Sequence, residues 1–81
     1  MSRDWRLYVD DIRTSCKKIL RYVDGVNFAE FKADEKTYDA VLRNLEIIGE
    51  AAKHIPGEGR ALSPDIAWRK IAGFRDVVAH A

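Results

Sequence analysis

Apolar residues near the start of the chain recur at alternating steps of four and three positions, and this spacing constrains the fold strongly. They are Trp5, Val9, Ile12, Cys16, Ile19 and Val23. Because a helix turns once in about 3.6 residues, positions at this spacing share one face. We therefore predict a helix from about Asp4 to Val23. Asp24 and Gly25 predict its end, since glycine readily takes the left-handed conformation that closes a helix.

A second stripe with the same spacing occupies the middle of the chain. Its members are Tyr38, Val41, Leu45, Ile48, Ala52 and Ile55. Asp34 is a suitable N-cap and Glu35 suits the first turn, so we predict a second helix that runs to about His54. Two matched stripes joined by a short connection predict an antiparallel helical hairpin. Gly49 weakens the second helix, which predicts that another helix approaches closely there.

Two shorter segments interrupt the helical pattern. Residues 26–33 are predicted to connect the long helices, with Phe28 and Phe31 packed against the core. Residues 56–59 read Pro-Gly-Glu-Gly, a composition that is typical of a chain break. We therefore predict a connection in the first segment and a break in the second.

The C-terminal part of the chain carries a helix-start signal. Ser63 followed by Pro64 resembles an N-cap with proline at the first helical position, so a short helix is predicted through Trp68. Gly73 is predicted to separate it from a last helix that begins at Phe74. No strand pattern occurs in the sequence. We therefore predict an all-α fold, an antiparallel helical bundle with two long helices and shorter C-terminal helices.

The length of the chain suits one domain. We take residues 1–81 as a single helical domain, close to the smallest size that a hydrophobic core stabilises alone. Its one cysteine, Cys16, has no partner for an internal disulfide, so tight helix packing or oligomerisation must stabilise the fold. The last helix has barely begun at Ala81. We expect a second chain, a further C-terminal helix or both to cover the open apolar faces, with a homodimer as the expected state.

The sequence contains no segment typical of membrane insertion or export. No apolar run approaches the length of a bilayer span. Arg3, Asp4 and Arg6 stand where a signal peptide would begin its apolar core. We therefore expect a cytoplasmic protein with no membrane partner.

The formal net charge of +1 conceals an uneven distribution. Residues 1–21 carry a balance of +3, residues 22–59 a balance of −4, and residues 60–81 a balance of +2. A dedicated DNA-binding protein would usually be more basic. The two basic ends could still form one surface if the chain folds back on itself, although such patterns are often only a solvated face.

Metal and nucleotide sites have little support in the sequence. Glu46, Glu50 and His54 recur every four residues and could share one helical face as metal ligands, but a solvated polar face explains the same spacing more simply. Neither of the common glycine-rich phosphate loops occurs. Cys16 lies in the apolar stripe, so we predict a small core residue and not a nucleophile. We expect neither a metal nor a cofactor.

The stretch that ends the chain offers a pair of residues suited to phosphoryl transfer. The imidazole of His80 could accept a proton from a ribose 2′-hydroxyl or donate one to a leaving oxygen. The guanidinium of Arg75 could hold the phosphate, and Asp76 could orient either group. Five positions on a helix turn through about 140°, so the two side chains are not simply stacked. The site would need the reach of arginine, a helix distortion or a second subunit.

Two segments resemble a known family over essentially the whole chain. The helix segment RNLEIIGEA and the end W…GFRDVVAHA strongly resemble the HepT-like branch of the HEPN helical proteins. The resemblance implies a helical bundle that pairs into a symmetric dimer, with two copies of the Arg-x4-His motif in one cleft. It also implies a metal-independent ribonuclease toxin that is encoded beside an MNT-type nucleotidyltransferase antitoxin. Arg75 and His80 then become the catalytic pair, and Asp76 fills a polar position that is often asparagine.

The sequence departs from the family pattern directly after the histidine. The family motif continues as His-x-Tyr, and the resemblance implies that this tyrosine accepts AMP from the antitoxin. Here Ala81 follows His80 as the last residue. We therefore expect residues 1–81 to lack both the tyrosine and the closing helix of the family.

Three functions are consistent with the sequence. The leading hypothesis is an endoribonuclease toxin that uses Arg75 and His80, with RNA guided by five basic residues. Those residues are Arg13, Lys17, Arg21, Arg69 and Lys70. The second hypothesis is a non-catalytic helical module that binds a nucleotidyltransferase or a nucleotide. The third is a helical dimer without either function, in which His80 is only a polar residue at the end of the chain.

Overall fold

The computed structural model describes residues 4–79, and every regular element in that range is a helix. The elements are α1 (Trp5–Val23), α2 (Phe28–Ala33), α3 (Glu35–Ala52), α4 (Gly57–Ala61) and α5 (Trp68–Ala79). The all-α prediction is therefore confirmed. Within the same range, no helix is both long enough and apolar enough to span a bilayer.

The two ends of α1 lie where the sequence predicts them. A side-chain oxygen of Asp4 accepts a hydrogen bond from the backbone N–H of Arg6 at 2.9 Å, which satisfies a donor that the helix leaves open. After Val23 the chain turns through Gly25, whose φ of 71° lies in the left-handed region. A residue with a Cβ atom would be strained there.

Asp34 ends α2 and also caps the start of α3. Its carboxylate accepts from the backbone N–H of Thr37 at 3.2 Å and from the Thr37 hydroxyl at 2.7 Å. The side-chain hydrogen bond from Thr37, followed by the backbone bond, lowers the pKa of Asp34. The last helical residue of α3 is Ala52, two positions before the predicted end at His54.

The core forms mainly where α1 packs against α3. The two helices run antiparallel, because the ring of Tyr8 near the start of α1 stacks on His54 just beyond the end of α3, with centroids 4.4 Å apart. The predicted hairpin is therefore confirmed. The buried apolar residues are Val9, Ile12, Ile19, Phe31, Val41, Leu45, Ile48, Ala51, Ile55 and Ile66.

The connection between the long helices differs from its prediction, because residues 28–33 fold as α2. Asn27 caps this helix: its side-chain oxygen accepts from the Glu30 backbone N–H at 2.9 Å. Phe31 packs against the core as expected and stacks on Tyr38, with centroids 5.4 Å apart. The expectation for Phe28 was wrong, since 50% of this residue is exposed.

The segment after α3 also differs from its prediction. Residues 57–61 form α4 and not an irregular break, and the Arg60 guanidinium donates to the backbone oxygen of Ala52 at 3.3 Å. Pro56 lies at the N-cap, where the missing N–H of proline costs no helical hydrogen bond. The same carbonyl also accepts from the Ile55 backbone N–H at 3.2 Å, so the Arg60 bond adds a second donor and ties α4 to the end of α3.

The predicted helix that begins at Ser63 and Pro64 does not form. Residues 62–67 make turns, in which the Ile66 backbone N–H donates to the Ser63 carbonyl at 3.2 Å. Burial of the Ile66 side chain in the core explains why the chain turns here. The last helix instead begins at Trp68 and continues through Gly73 without a break, because a single glycine costs a helix only about 1 kcal/mol.

Two glycines in helices have opposite surroundings. A Cβ atom at Gly59 would lie 2.9 Å from Cγ2 of Ile55 and 3.0 Å from two atoms of the Trp5 ring. A Cβ atom at Gly49 would meet no described atom within 4 Å. The close helix approach predicted at Gly49 is therefore absent from the part of the chain that the structure describes, and Gly59 is the glycine where close packing occurs.

This contrast predicts opposite effects of one substitution. Gly59→Ala is expected to lower the free energy of unfolding by about 1–3 kcal/mol, because the rigid Trp5 ring must move. Gly49→Ala is expected to raise it by about 0.5–1 kcal/mol, because alanine loses less backbone entropy in a helix. Urea unfolding of both variants checks the pair, and equal effects of the same sign would contradict the packing at Gly59.

Candidate functional site

The predicted catalytic segment lies at the end of α5. Arg75 and Asp76 are adjacent on this helix, and both are exposed. His80 follows Ala79 in the chain and lies outside the described residues. The guanidinium of Arg75 is therefore accessible to a phosphate from solvent, while its relation to His80 stays a prediction from the sequence.

Two half-buried residues at the start of α5 attach the helix to the core. Trp68 and Ile71 pack against the core cluster, and α5 contacts α3. The Arg60 guanidinium lies 5.3 Å from the centre of the Trp68 ring, a cation–π contact. Because these contacts hold the first turns of α5 against the core, they also set the position of Arg75 further along the same helix.

The predicted basic stripe on α1 is only partly available to a ligand. Lys17 and Arg21 are exposed. Arg13 instead donates twice to the Asp65 carboxylate, from Nε at 2.8 Å and from a terminal nitrogen at 3.0 Å. A two-point arginine–carboxylate pair of this kind has a defined geometry. It ties α1 to the turns that lead into α5.

This ion pair changes the titration of both partners. The hydrogen bond between them is the main cause that raises the pKa of Arg13 and lowers the pKa of Asp65. Both side chains are partly solvent-accessible, at 39% for Arg13 and 57% for Asp65, so water screens the interaction. The Arg13 guanidinium is therefore held by Asp65 at the protein surface.

The lowered pKa of Asp65 predicts an acid-dependent loss of stability. Its contribution is present above the ordinary aspartate pKa and is lost as the pH falls through the lower pKa of the folded protein. Wild type is therefore expected to unfold at a higher temperature than Asp65→Asn at neutral pH. The difference should shrink as the pH falls below about 4. Thermal unfolding against pH checks this, and a difference that grows in acid would contradict it.

Two further basic residues precede the catalytic segment on α5. Arg69 and Lys70 lie in the first turn of the helix, and both are exposed. Arg75 follows five positions after Lys70. The helix therefore presents three of the predicted RNA-contacting or catalytic cations to solvent.

The side chains considered as metal ligands do not form a site. Glu46 and Glu50 are exposed on α3, and Glu50 pairs with Lys53 at 3.1 Å. His54 lies beyond the helix and stacks on Tyr8. Among residues 4–79, no group of three histidine, cysteine, aspartate or glutamate side chains is arranged to hold a metal ion.

The cleft beside these residues has mixed charge. It has a volume of about 460 Å³ and lies between α1 and α3. Acidic, basic, aromatic and aliphatic side chains all contribute to its walls. The lining residues are Tyr8, Asp11, Arg43, Glu46, Ile47, Glu50 and Ala51. This composition selects no single ligand class.

Cys16 behaves as the sequence predicts. The residue is half-buried and packs against the core cluster. Burial raises the pKa of its thiol, which disfavours the nucleophilic thiolate. Cys16 is therefore a packing residue.

Two pairs of aromatic and basic residues near the junction of α1 and α2 were not predicted from the sequence. The Arg21 guanidinium lies 5.4 Å from the centre of the Tyr22 ring. The Lys32 ammonium lies 5.7 Å from the centre of the Phe28 ring. The spacing of Phe28 and Lys32 would have indicated their contact if residues 28–33 had been predicted as a helix.

The comparisons of this chain with known proteins all indicate the same family. Residues 12–81 match the family described as Ribonuclease HepT-like. "Probable ribonuclease HepT" from Thermococcus cleftensis is 42% identical over 81 residues, 100% of this chain and 74% of the relative. A "Putative RNase" from Caldanaerobacter subterraneus is 39% identical over 75 residues, 93% of this chain and 67% of the relative.

A third relative shows the same pattern. A "Putative RNase" from Methanocaldococcus jannaschii is 37% identical over 78 residues, 96% of this chain and 64% of the relative. The chain thus spans roughly two thirds to three quarters of the length of these three relatives. No solved structure matches the chain significantly.

Proposed function

Because the chain belongs to the ribonuclease HepT-like family, we propose that it is a metal-independent endoribonuclease that acts through Arg75 and His80. The match over residues 12–81 carries this proposal, since it includes both residues. The names of the related proteins support a ribonuclease in the same way. We further propose that the enzyme is the toxin of a toxin–antitoxin pair.

The proposed reaction is an internal transesterification of RNA. His80 accepts the proton of a ribose 2′-hydroxyl, and the 2′-oxygen bonds to the adjacent phosphorus. The bond from phosphorus to the 5′-oxygen breaks, and that oxygen takes up a proton as it leaves. The products are a 2′,3′-cyclic phosphate end and a 5′-hydroxyl end. No atom changes its oxidation state in this transesterification, so the reaction needs no redox cofactor.

Arg75 supplies charge stabilisation in this reaction. Its guanidinium is exposed on α5 and can pair with the two non-bridging oxygens of the scissile phosphate. Negative charge builds on those oxygens as the 2′-oxygen attacks, so the interaction strengthens in the transition state. Asp76, next to Arg75 on α5, is exposed and could orient either catalytic group.

Basic residues on two helices would hold the rest of the RNA. Lys17 and Arg21 on α1 and Arg69 and Lys70 on α5 are exposed, and Arg13 contributes after a phosphate replaces Asp65. Each phosphate contact releases counterions, so RNA binding should weaken as salt rises.

We propose a homodimer as the active form. One imidazole must accept a proton and another group must donate one, and two copies of His80 in one cleft would supply both. Exposed leucines in the described range support a protein partner, and they include Leu7 at 46%, Leu20 at 68% and Leu62 at 72%. The same argument favours a second partner, an MNT-type nucleotidyltransferase antitoxin. We place this activity in the cytoplasm, among cellular transcripts.

The test is an RNA cleavage assay with the full chain and excess EDTA. Cleavage is expected to continue at an unchanged rate, with 2′,3′-cyclic phosphate and 5′-hydroxyl ends on the products. Mass spectrometry of the fragments identifies these ends, and size-exclusion chromatography with light scattering identifies a dimer. Binding of a nucleotidyltransferase without any RNA cleavage would favour the non-catalytic module instead.

A further inference from the structure

The end of the molecule where α1 meets α2 holds two aromatic rings, each with a cation over its face. Arg21 lies over Tyr22, and Lys32 lies over Phe28, at 5.4 and 5.7 Å from the ring centres. The five-residue step from Val23 to Phe28 spans at most about 18 Å, so the two pairs lie at the same end of the structure. We call Arg21, Tyr22, Phe28 and Lys32 the aromatic–basic platform.

Phe28 is held in place although its ring does not belong to the core. Phe31, one turn away on α2, is buried and stacks on Tyr38. The Phe28 ring lies 6.4 Å from the Phe31 ring at an interplanar angle of 57°, while 50% of Phe28 is exposed. The short helix therefore presents a large, half-exposed aromatic ring to solvent beside the buried Phe31. Such a surface favours a flat apolar ligand.

The charges around the platform select the class of that ligand. Lys17, Lys18, Arg21 and Lys32 are all exposed at this end of α1 and along α2. The nearby acids are Asp24, at the C-cap of α1, Glu30, whose carboxylate accepts from the Asn27 side-chain amide at 2.9 Å, and Asp34 and Glu35, where α2 meets α3. The Asp34 carboxylate is engaged by Thr37. With exposed Lys36, five cations stand beside four acids, so the surface carries a small excess of positive charge that favours an anionic ligand.

Flat apolar rings joined by anionic groups describe single-stranded nucleic acid. Bases stack on aromatic side chains, and arginine and lysine pair with the phosphates between them. We propose that the aromatic–basic platform is an accessory binding site for single-stranded RNA, separate from Arg75. A base stacks on Phe28, and the neighbouring phosphates pair with Lys32 and Arg21. This inference rests on the proposed ribonuclease function, because it assigns a second contact with the same substrate.

The test measures binding without cleavage. The probe is a fluorescent 2′-O-methyl oligoadenylate, which has no free 2′-hydroxyl for the reaction, and fluorescence anisotropy of the full chain gives the Kd. Phe28→Ala and Phe28→Leu are expected to raise the Kd about tenfold, because neither side chain stacks on a base. Phe28→Tyr should restore binding to within about twofold, since the ring remains. Lys32→Gln should weaken binding and reduce its dependence on salt.

Lys53→Gln is the matched control for Lys32→Gln, because Lys53 is also an exposed lysine but lies at the other end of α3, where it pairs with Glu50. It should leave the Kd unchanged. Inorganic polyphosphate is the second probe, and Phe28→Leu should not alter its binding, since it has no bases. Thermal unfolding of each variant confirms the fold.

Three outcomes would overturn the inference. They are wild-type affinity of Phe28→Leu for the oligonucleotide, equal weakening for the oligonucleotide and polyphosphate, or platform-dependent binding to phosphatidylglycerol vesicles without RNA binding. Failure of the proposed function is distinguishable, because RNA that binds through Phe28 but is never cleaved would reject catalysis alone. RNA that is cleaved with no dependence on Phe28 would reject the platform alone.

Discussion

Replacing Arg75 or His80 by alanine is expected to lower the rate of RNA cleavage by at least about 10²-fold. General acid–base catalysis by a positioned imidazole contributes roughly 10²–10⁴-fold. Removal of a group that stabilises transition-state charge typically costs about 10²–10³-fold. Single-turnover cleavage of a defined RNA by wild type and by each variant measures the two effects.

The double variant gives a further expectation. If Arg75 and His80 act in one step, their combined replacement should cost less than the product of the single losses. His80→Ala is also expected to lower kcat more than it changes KM, because the imidazole takes part in proton transfer during the chemical step. Arg75→Ala should affect both, because its guanidinium also binds the ground-state phosphate.

Arg43→Ala is the matched control for Arg75→Ala. Arg43 is also an exposed arginine on a helix, but it lies on α3 in the mixed-charge cleft. Its replacement should leave the cleavage rate within about twofold of wild type, because surface substitutions away from the site act weakly. Equal cleavage by wild type, Arg75→Ala and His80→Ala would reject the proposed catalytic pair.

Ile12→Ala is expected to lower the free energy of unfolding by about 2–5 kcal/mol. Ile12 has 0% exposure and lies on α1 in the core formed with α3. The truncation removes buried methyl groups and leaves a cavity that close-packed neighbours fill only in part. Small domains are stable by only about 5–15 kcal/mol, so this loss is a large fraction of the total stability. Urea unfolding followed by circular dichroism measures the change.

Leu20→Ala provides the matched comparison on the same helix. Leu20 is 68% exposed, so its truncation should change the free energy of unfolding by no more than about 0.5 kcal/mol. In a dimer that covers Leu20, the loss would be larger and would grow as the protein concentration falls. A large loss for Leu20→Ala that does not depend on concentration would contradict the described core.

The long helices are predictable from the sequence because their signals are local. The alternating apolar stripe of α1 sets its buried face, and Asp4, Asp34 and Gly25 set helix ends through contacts with residues only a few positions away. The end of α3 is less well determined, and it falls two residues short of the prediction at His54. Fraying and turn formation at a helix end depend on weaker preferences than its start.

The short elements were predicted wrongly because tertiary contacts decide them. The sequence Ser63-Pro64 suits a helix start, but burial of Ile66 turns the chain there. Phe28 and Phe31 are the same residue type and lie three positions apart on α2. Only Phe31 contacts Tyr38 and is buried in the core. Propensities of a few tenths of a kcal/mol cannot outweigh burial of a whole side chain.

The candidate site likewise contains residues that the sequence predicts and a contact that it does not. Arg75, Asp76 and His80 are predicted from residue chemistry and from the family motif, and the structure shows only that Arg75 and Asp76 are exposed on α5. The pairing of Arg13 with Asp65 joins residues 52 positions apart, which no local pattern in the sequence indicates. Because Asp65 holds Arg13, this residue is less available to a ligand than the rest of the predicted basic stripe.

Local spacing and a contiguous motif are enough to predict the helical class, the long antiparallel pair and the family. The close packing at Gly59, the ion pair between Arg13 and Asp65, and the exposure of Phe28 emerge only in the folded chain. These features depend on which distant residues meet when α1, α2 and α4 assemble. Distances of this kind arise from packing a whole core and are not encoded in any one segment.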